Sequence, residues 1–257
     1  MRDFTLSVYS DMLDAAVAAG YECVSFSDVI RGRKDEGRWV VFRHDVDLKP
    51  WNSVATAKLE SEKGIRGSYY FRVVRRAWDV NAIGTIADLG HECGYHYEDL
   101  DLARGDIKKA YKLFEEHLKR LRSLVPVETA CMHGSPLSNW DNRDIWQTYS
   151  YRGCGIIGEP YFDLDFDRVF YLTDTGRSWN NRAVSVRDKV DSGFDITVSD
   201  TCDIIDLFRS GDMPDRVMIN IHPQRWNDGL FPWVTELVIQ KGKNYVKKWM
   251  YVGRNGK

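Results

Sequence analysis

The stretch VVFRHDVDLKP, residues 40–50, places four ionisable side chains directly after an apolar run. The apolar residues predict a buried strand over residues 38–45, and Pro50 is suited to the first turn of a helix over 50–63. A strand followed at once by a helix is the repeating unit of α/β proteins. The stretch therefore predicts an α/β fold in which polar groups stand at the carboxyl end of a core strand.

The same alternation continues along the chain. Further strands are predicted over residues 66–74, 92–98, 127–133, 155–159, 168–174 and 216–222. Further helices are predicted over residues 5–19, 81–90, 105–124, 141–149, 203–210 and 229–249. No linker or internal repeat interrupts the pattern, which favours a single domain over residues 1–257. About seven parallel strands suit closure into a barrel, and a doubly wound open sheet is the alternative.

Composition narrows the function classes. The 257 residues carry a net charge of −2. The longest basic cluster, KGKNYVKKW from Lys241, is interpreted as a solvated helix face. We therefore expect no nucleic-acid partner. Acidic residues interrupt the N-terminal segment, and no run approaches the roughly 18 apolar residues of a membrane span, so we expect neither a secretion signal nor stable membrane insertion. Five cysteines without a CxxC pair predict reduced thiols and a cytoplasmic location.

Histidines and carboxylates concentrate at strand ends. Four of the six histidines lie at or just past the carboxyl end of a predicted strand, namely His44, His96, His133 and His222. Carboxylates occupy equivalent positions, namely Asp45, Asp47, Glu98 and Asp174. The carboxyl ends of parallel strands meet at one edge of the sheet, where α/β proteins bind their ligands. These side chains are therefore predicted to form one site.

Imidazoles and carboxylates that converge are the usual ligands of Zn²⁺ or a similar divalent ion. Asp45 and Asp47 are two residues apart on a strand and can face the same way, so one can hold the ion while the other acts as a base. His44 has the opposite parity and is equally well explained as a residue bonded to backbone. His91 is predicted to cap or pack, and His117 to be exposed.

Four motifs resemble those of the NodB-like polysaccharide deacetylases, carbohydrate esterase family 4. HDVD resembles the first motif, in which Asp45 would be the catalytic base and Asp47 a metal ligand. GHECGYH resembles the second motif and would make His96 a ligand. INIHP resembles the fifth motif, whose histidine, here His222, would be the general acid. DTGRSW resembles the fourth motif, which implies that Asp174 orients this histidine.

The chain departs from the family pattern at two places. Leu100 stands where the second motif has a further histidine ligand, and MHGSP replaces an Arg-Pro-Pro loop. His133 is the predicted replacement ligand because it also ends a strand. Glu98 is the second candidate.

The resemblance implies a distorted (β/α) barrel, a divalent metal that is most often zinc, and hydrolysis of an N-acetyl group on an amino sugar in surface-polysaccharide biosynthesis. The expected substrate is a small molecule or a nucleotide- or lipid-linked sugar precursor. Arg43 or Arg177 would bind an anionic group of the substrate or hold the base, and Arg177 is counted among the catalytic residues. Trp179 and Trp226 would stack on sugar rings or pack in the core. Two alternatives are a metal-dependent amidohydrolase acting on a non-sugar amide and a non-catalytic sugar-binding homologue.

Overall fold

A curled, all-parallel sheet forms the centre of the molecule. The computed structural model describes residues 2–32, 36–135, 138–179, 190 and 193–254, with side chains through residue 245. Its strands are β1 (Glu22–Cys23), β2 (Trp39–Val46), β3 (Ser68–Phe71), β4 (Glu92–Tyr97), β5 (Ala130–Met132), β6 (Phe170–Thr173) and β7 (Arg216–Ile221). The strand order is β5-β4-β3-β2-β7-β6, and β1 pairs with the first half of β2. Every pairing is parallel, which confirms the predicted α/β class.

Helices follow most strands and cover the outer face of the sheet. They are α1 (Leu6–Ala18), α2 (Phe26–Ile30), α3 (Pro50–Glu62), α4 (Val80–Asp88), α5 (Asp99–Leu102), α6 (Ile107–Arg122), α7 (Pro160–Asp163), α8 (Thr201–Ser210) and α9 (Leu230–Arg254). Short 3-10 helices span Asn142–Gln147, Tyr151–Cys154 and Pro223–Arg225. Side chains that accept backbone N–H bonds begin several helices, as Asp79 does for α4 and Asp106 for α6. Among the described helices, none combines the length and the apolar character needed to cross a membrane.

The two faces of β2 have different neighbours. Val40 and Phe42 pack outward in a cluster shared with α1 and α8, whereas Val41 packs with Tyr70 and Met218 inside the curl of the sheet. Side chains alternate between the faces of a strand. All eight residues of β2 are buried, as expected for a central strand of a parallel sheet covered on both sides.

The predicted closure into a complete barrel is not seen in the described part of the chain. The sheet path ends at β5 and β6, so the strands form a half-barrel. The predicted strand over 155–159 is wrong, since Gly158 makes only an isolated bridge with Thr129. Gly155 adopts a left-handed φ of 72° after a 3-10 helix and Pro160 begins α7, which leaves too few extended residues for a strand. The two-residue β1 was not predicted, because so short a strand has no periodicity.

A second correction concerns residues 141–149. The predicted helix is a 3-10 helix over Asn142–Gln147. The side chain of Asn142 accepts hydrogen bonds from the N–H groups of Leu100 and Asp101 and donates one to the carbonyl of His133. These long-range bonds hold the segment against the chain after β4 and β5, and such tertiary bonds can override local helix propensity.

Candidate metal and catalytic site

The predicted residues converge at the carboxyl ends of four strands of the sheet. Asp45 lies in β2 and Asp47 one residue beyond it, while His96 lies in β4. His133 follows β5 and His222 follows β7 directly. Parallel pairing places all four strand ends at the same edge of the sheet, which is why residues far apart in sequence meet there.

Asp47 lies between the three imidazoles. Its Oδ1 is 3.6 Å from His96 Nε2 and 3.4 Å from His133 Nε2, and its Oδ2 is 3.8 Å from His222 Nε2. Oδ1 is buried and no described residue donates a hydrogen bond to it. Burial raises the pKa of a carboxyl, but the nearby histidines and Arg72 lower the pKa of Asp47 to about 2. Asp47 is therefore an ionised carboxylate with one oxygen left for a cation.

Each of the two predicted histidine ligands is oriented through its other ring nitrogen. His96 Nδ1 lies 2.9 Å from the carbonyl of Cys131 and carries the proton there, because a carbonyl only accepts. His133 Nδ1 lies 3.3 Å from Glu98 Oε2. Both arrangements turn Nε2 toward Asp47, and such outer contacts are typical of metal-binding histidines.

Burial lowers the pKa of His96 despite the attraction of Asp45, which favours the neutral imidazole that binds metals. Burial acts in the same direction on His133, but the nearby carboxylates of Asp47 and Glu98 outweigh it and raise the pKa of His133. In the protein without a metal ion, His133 is therefore the imidazole that holds a proton more strongly. A bound cation would have to displace that proton.

Glu98 pairs with Arg72, so its carboxylate is not free to bind a metal ion. Arg72 Nε and Nη2 lie 2.9 and 2.5 Å from the two carboxylate oxygens of Glu98. Burial raises the pKa of Glu98, but the nearby His133 and the hydrogen bonds from Arg72 lower it to about 2. A bidentate pair of this kind occupies both oxygens and fixes the carboxylate. Of the two predicted replacements for the missing histidine, His133 is the one whose donor atom faces Asp47.

Asp45 is locked by two side chains inside the curl of the sheet. Arg43 Nε and Nη2 donate to its two oxygens at 3.1 and 2.7 Å, and Asn220 Nδ2 donates at 2.9 Å. Burial raises the pKa of Asp45, but Arg43 and His96 outweigh it and hold that pKa far below its usual range. Arg43 thus holds the predicted base, which was one of its two expected roles.

His222 and Asp174 form a second fixed pair beside Asp47. Asp174 Oδ1 lies 2.6 Å from His222 Nδ1, and the backbone N–H of His222 donates to both oxygens of Asp174. Arg225 Nη1 and Trp226 Nε1 donate to the same carboxylate at 2.6 and 2.9 Å. Burial raises the pKa of Asp174, but Arg225 and His222 outweigh it and lower the pKa. The ionised Asp174 keeps His222 Nδ1 protonated and turns Nε2 toward Asp47.

A second group of donor atoms shares His96. The buried side chains of Asp45, His96 and Cys131 place one donor atom each within 4.8 Å of one another, and such a cluster could bind a metal ion. His96 Nε2 lies 3.8 Å from Asp45 Oδ2, close to its 3.6 Å distance from Asp47 Oδ1. His96 therefore belongs to two candidate donor groups: an inner one with Asp45 and Cys131, and an outer one with Asp47 and His133.

His44 lies on the other face of the sheet. Its Nε2 is 2.6 Å from Glu60 Oε1, and its ring stacks on Tyr69 with centroids 4.0 Å apart. The opposite parity of His44 on β2 explains this placement. Its polar partners are side chains and not backbone, so neither expected role describes it.

Other predicted residues lie outside this cluster. Arg177 donates from Nη1 to the carbonyl of Trp233 at 2.9 Å and lies over the Trp233 ring. Trp179 and Trp226 are 4% and 1% exposed and pack in the outer core, so the expected stacking on sugar rings is wrong and the core alternative is right. Leu100 is buried in the core around α6.

Sequence reasoning missed four contributors to the site: Arg72, Cys131, Asn220 and Arg225. For two of them a signal was available. Cys131 and Asn220 each precede a predicted site histidine by two residues, and residues two apart on a strand face the same way. Arg72 and Arg225 reach the site through long side chains from segments after strands, and no periodicity marks them.

Comparison with protein-family models, with curated proteins and with solved structures found no match.

Proposed function

We propose that this protein is a metal-dependent hydrolase that removes an N-acetyl or other acyl group from an amino sugar or a sugar-linked precursor. The observation that carries the proposal is the environment of Asp47. Its buried Oδ1 receives no hydrogen bond from a described residue and lies within 3.6 Å of two imidazole Nε2 atoms. The His222–Asp174 pair stands on the other side of the same carboxylate.

Two of the three distances in the outer donor group match those around a divalent ion, whereas all three donor atoms of the inner group lie within 4.8 Å of one another. Ligand atoms about 2.1 Å from a tetrahedral zinc ion lie roughly 3.4 Å apart, close to the distances from Asp47 Oδ1 to His96 and His133. The inner group is less available because both oxygens of Asp45 accept bonds from Arg43. Asp47, His96 and His133 would hold the ion, and zinc suits this mixture of one carboxylate and two imidazoles.

The bound ion would supply Lewis-acid chemistry toward an amide carbonyl and a water molecule. Asp45 would accept the proton of the attacking water. Arg43 makes Asp45 a weak base, so this transfer requires a water more acidic than bulk water. His222, whose Nδ1 proton is held by Asp174, would donate a proton from Nε2 to the leaving amine.

An exposed aromatic side chain supports a sugar substrate. Trp51 lies in the first turn of α3, just after the loop that carries Asp47, and is 54% exposed. Its Nε1 donates to Asp79 Oδ2 at 3.0 Å, which holds the ring in one orientation. An exposed ring held at the edge of the site could stack on a sugar. Trp51 replaces the two buried tryptophans in this proposed role.

The test combines metal analysis with an assay for acetate release from N-acetylated monosaccharides and nucleotide sugars. Asp47→Asn is expected to lose most of the bound metal and all acetate release. His222→Ala is expected to keep the metal and lose about 10²- to 10⁴-fold in rate, the usual contribution of a general acid. Asp206→Asn makes the same chemical change as Asp47→Asn on an exposed position of α8 and should change neither quantity.

A wild-type protein that binds no divalent metal under these conditions would contradict the proposal. Bound metal without acetate release from any sugar would instead favour hydrolysis of a non-sugar amide. Sugar binding that survives in Asp45→Ala, together with absent metal, would favour the non-catalytic sugar-binding alternative.

A further inference from the structure

The solvent side of α9 carries an apolar stripe that is interrupted by Lys241. Five large side chains there are 40–84% exposed: Leu230, Phe231, Val234, Val238 and Tyr245. At 3.6 residues per turn their positions fall within an arc of about 100°. A run of exposed apolar residues on one helix face marks an interaction surface, whereas exposed apolar residues scattered singly do not.

The opposite side of α9 packs against the rest of the protein. These contacts fix the orientation of the helix, so the stripe stays on the solvent side. Glu236 and Gln240 are each 5% exposed. Trp233 Nε1 donates to the carbonyl of Asp3 at 2.7 Å, and Asn244 Nδ2 donates to the carbonyl of Gly176 at 2.8 Å. The exposed stripe is therefore a fixed feature of this surface.

The exposed part of α9 is also basic. Lys241 lies in the same arc as the apolar residues, and Lys243 is exposed on another side of the helix. From Lys241 to Lys257 the sequence contains six Lys or Arg residues and no Asp or Glu. Glu236, the one acidic residue between Leu230 and Arg254, is buried with an oxygen 3.8 Å from Lys49 Nζ. The exposed part of the helix thus combines apolar and cationic groups without carboxylates.

We propose that this face of α9 binds the surface of an anionic lipid bilayer. An interfacial helix of this type lies in the membrane plane, with its apolar residues among the acyl chains and its lysines near the lipid phosphates. A second copy of the chain fits less well, because pairing two such faces would bring their basic segments together. The proposal concerns attachment alone and does not depend on the reaction at the metal site.

The packed side of α9 lies next to the site. Gly176, which binds Asn244 of α9, follows Asp174 by two residues, and Lys49, which pairs with Glu236, follows Asp47 by two. Both loops leave the sheet at the edge where the site residues converge. A bilayer bound to the exposed stripe would therefore lie across α9 from these loops.

The test is cosedimentation of the full chain with phosphatidylcholine vesicles, with and without phosphatidylglycerol. We expect binding that requires phosphatidylglycerol and weakens with added salt. The double variant Lys241→Glu/Lys243→Glu should weaken binding at least about tenfold, given the contribution of each basic residue near an anionic surface. The control Lys108→Glu/Lys112→Glu makes the same charge change at exposed positions of α6 and should bind like the wild type.

The apolar part of the proposal has its own test. Phe231→Ser/Val238→Ser should also reduce vesicle binding while leaving the circular dichroism spectrum unchanged. The proposal is overturned if the wild type does not sediment with anionic vesicles, or if both charge variants lose binding equally. It is also overturned if sedimentation equilibrium shows a dimer that Phe231→Ser/Val238→Ser dissociates, since the stripe would then cover a second copy.

Discussion

Asp47 shows why a single carboxylate with one buried, unpaired oxygen can indicate a function. Removing an ionised carboxylate from water is costly unless hydrogen bonds or an opposite charge compensate. Asp45 and Asp174 receive such bonds from arginines, but Asp47 Oδ1 receives none from the residues that the structure describes. Proximity to three imidazoles lowers its pKa, yet their geometry leaves a position between them. A cation at that position would coordinate the unpaired Oδ1 of Asp47.

The choice between the inner and outer donor groups can be tested directly. His133→Ala should remove most of the bound metal if the outer group holds the ion, because it deletes one of three protein ligands. Cys131→Ser should change metal content little, since Cys131 belongs to the inner group. Metal analysis of the two purified variants checks this. The reverse result would assign the ion to the inner group.

Glu98 provides a prediction about pH. Its pKa is about 2 in the folded protein against an ordinary value of 4.5, so the ionised form stabilises the fold above about pH 4.5. This contribution, at most about 3 kcal/mol, is lost as the pH falls toward 2. Glu98→Gln should therefore lower the free energy of unfolding at pH 7, and the difference from wild type should shrink on acidification. Urea unfolding at several pH values measures it, and a difference that stays constant would contradict the assignment.

At the scale of elements, strand parity distributes the polar groups. The outward side chains of β2 pack against helices. Among them, His44 contacts the buried carboxylate of Glu60 on α3. The inward side chains of Arg43 and Asp45 meet Asn220 of β7. The alternation of side chains along the strand could be predicted from the sequence, and it places His44 on the opposite face from Asp45 and Asp47. Which arginine would hold Asp45 was left open, because that depends on the lateral packing of strands.

Gly94 of β4 gives a test of packing inside the curl. A Cβ there would lie 2.4 Å from a ring carbon of Tyr70, which is fully buried and bonded to Thr129. Gly94→Ala should therefore destabilise the fold by about 1–3 kcal/mol, the usual cost of overpacking. Gly84→Ala on α4 is the matched control, since nothing lies within 4 Å of its Cβ and alanine favours helix by about 0.5–1 kcal/mol. Thermal unfolding of both variants measures the difference. Equal melting temperatures for Gly94→Ala and Gly84→Ala would contradict the packing argument.

At the scale of the whole molecule, a buried polar network joins elements behind the site. Glu60 of α3 accepts hydrogen bonds from Tyr9 of α1 and Tyr69 of β3 and pairs with His44 of β2. All four side chains are fully buried. The network lies on the outer face of the sheet, so it holds β2 in place without reaching the metal site.

Glu60→Ala should cost about 3–5 kcal/mol of unfolding free energy, because it leaves three buried polar side chains without the carboxylate that they share. Metal content of the folded variant should match the wild type, since the network and the site face opposite sides of β2. Chemical denaturation and metal analysis measure the two quantities. Glu60→Gln keeps the shape and should cost less than Glu60→Ala. Loss of metal from folded Glu60→Gln would show that the two faces are coupled.

The sequence by itself determined the order of six of the seven described strands and of the longer helices, and the placement of histidines and carboxylates at strand ends, because these depend on spacing between near neighbours. The helix predicted over 105–124, for example, is α6 at Ile107–Arg122. Only the tertiary structure decided that the sheet stays open, that Trp179 and Trp226 are buried, and that Arg72 holds Glu98. These features arise from contacts between distant segments, and no local pattern in the chain encodes them.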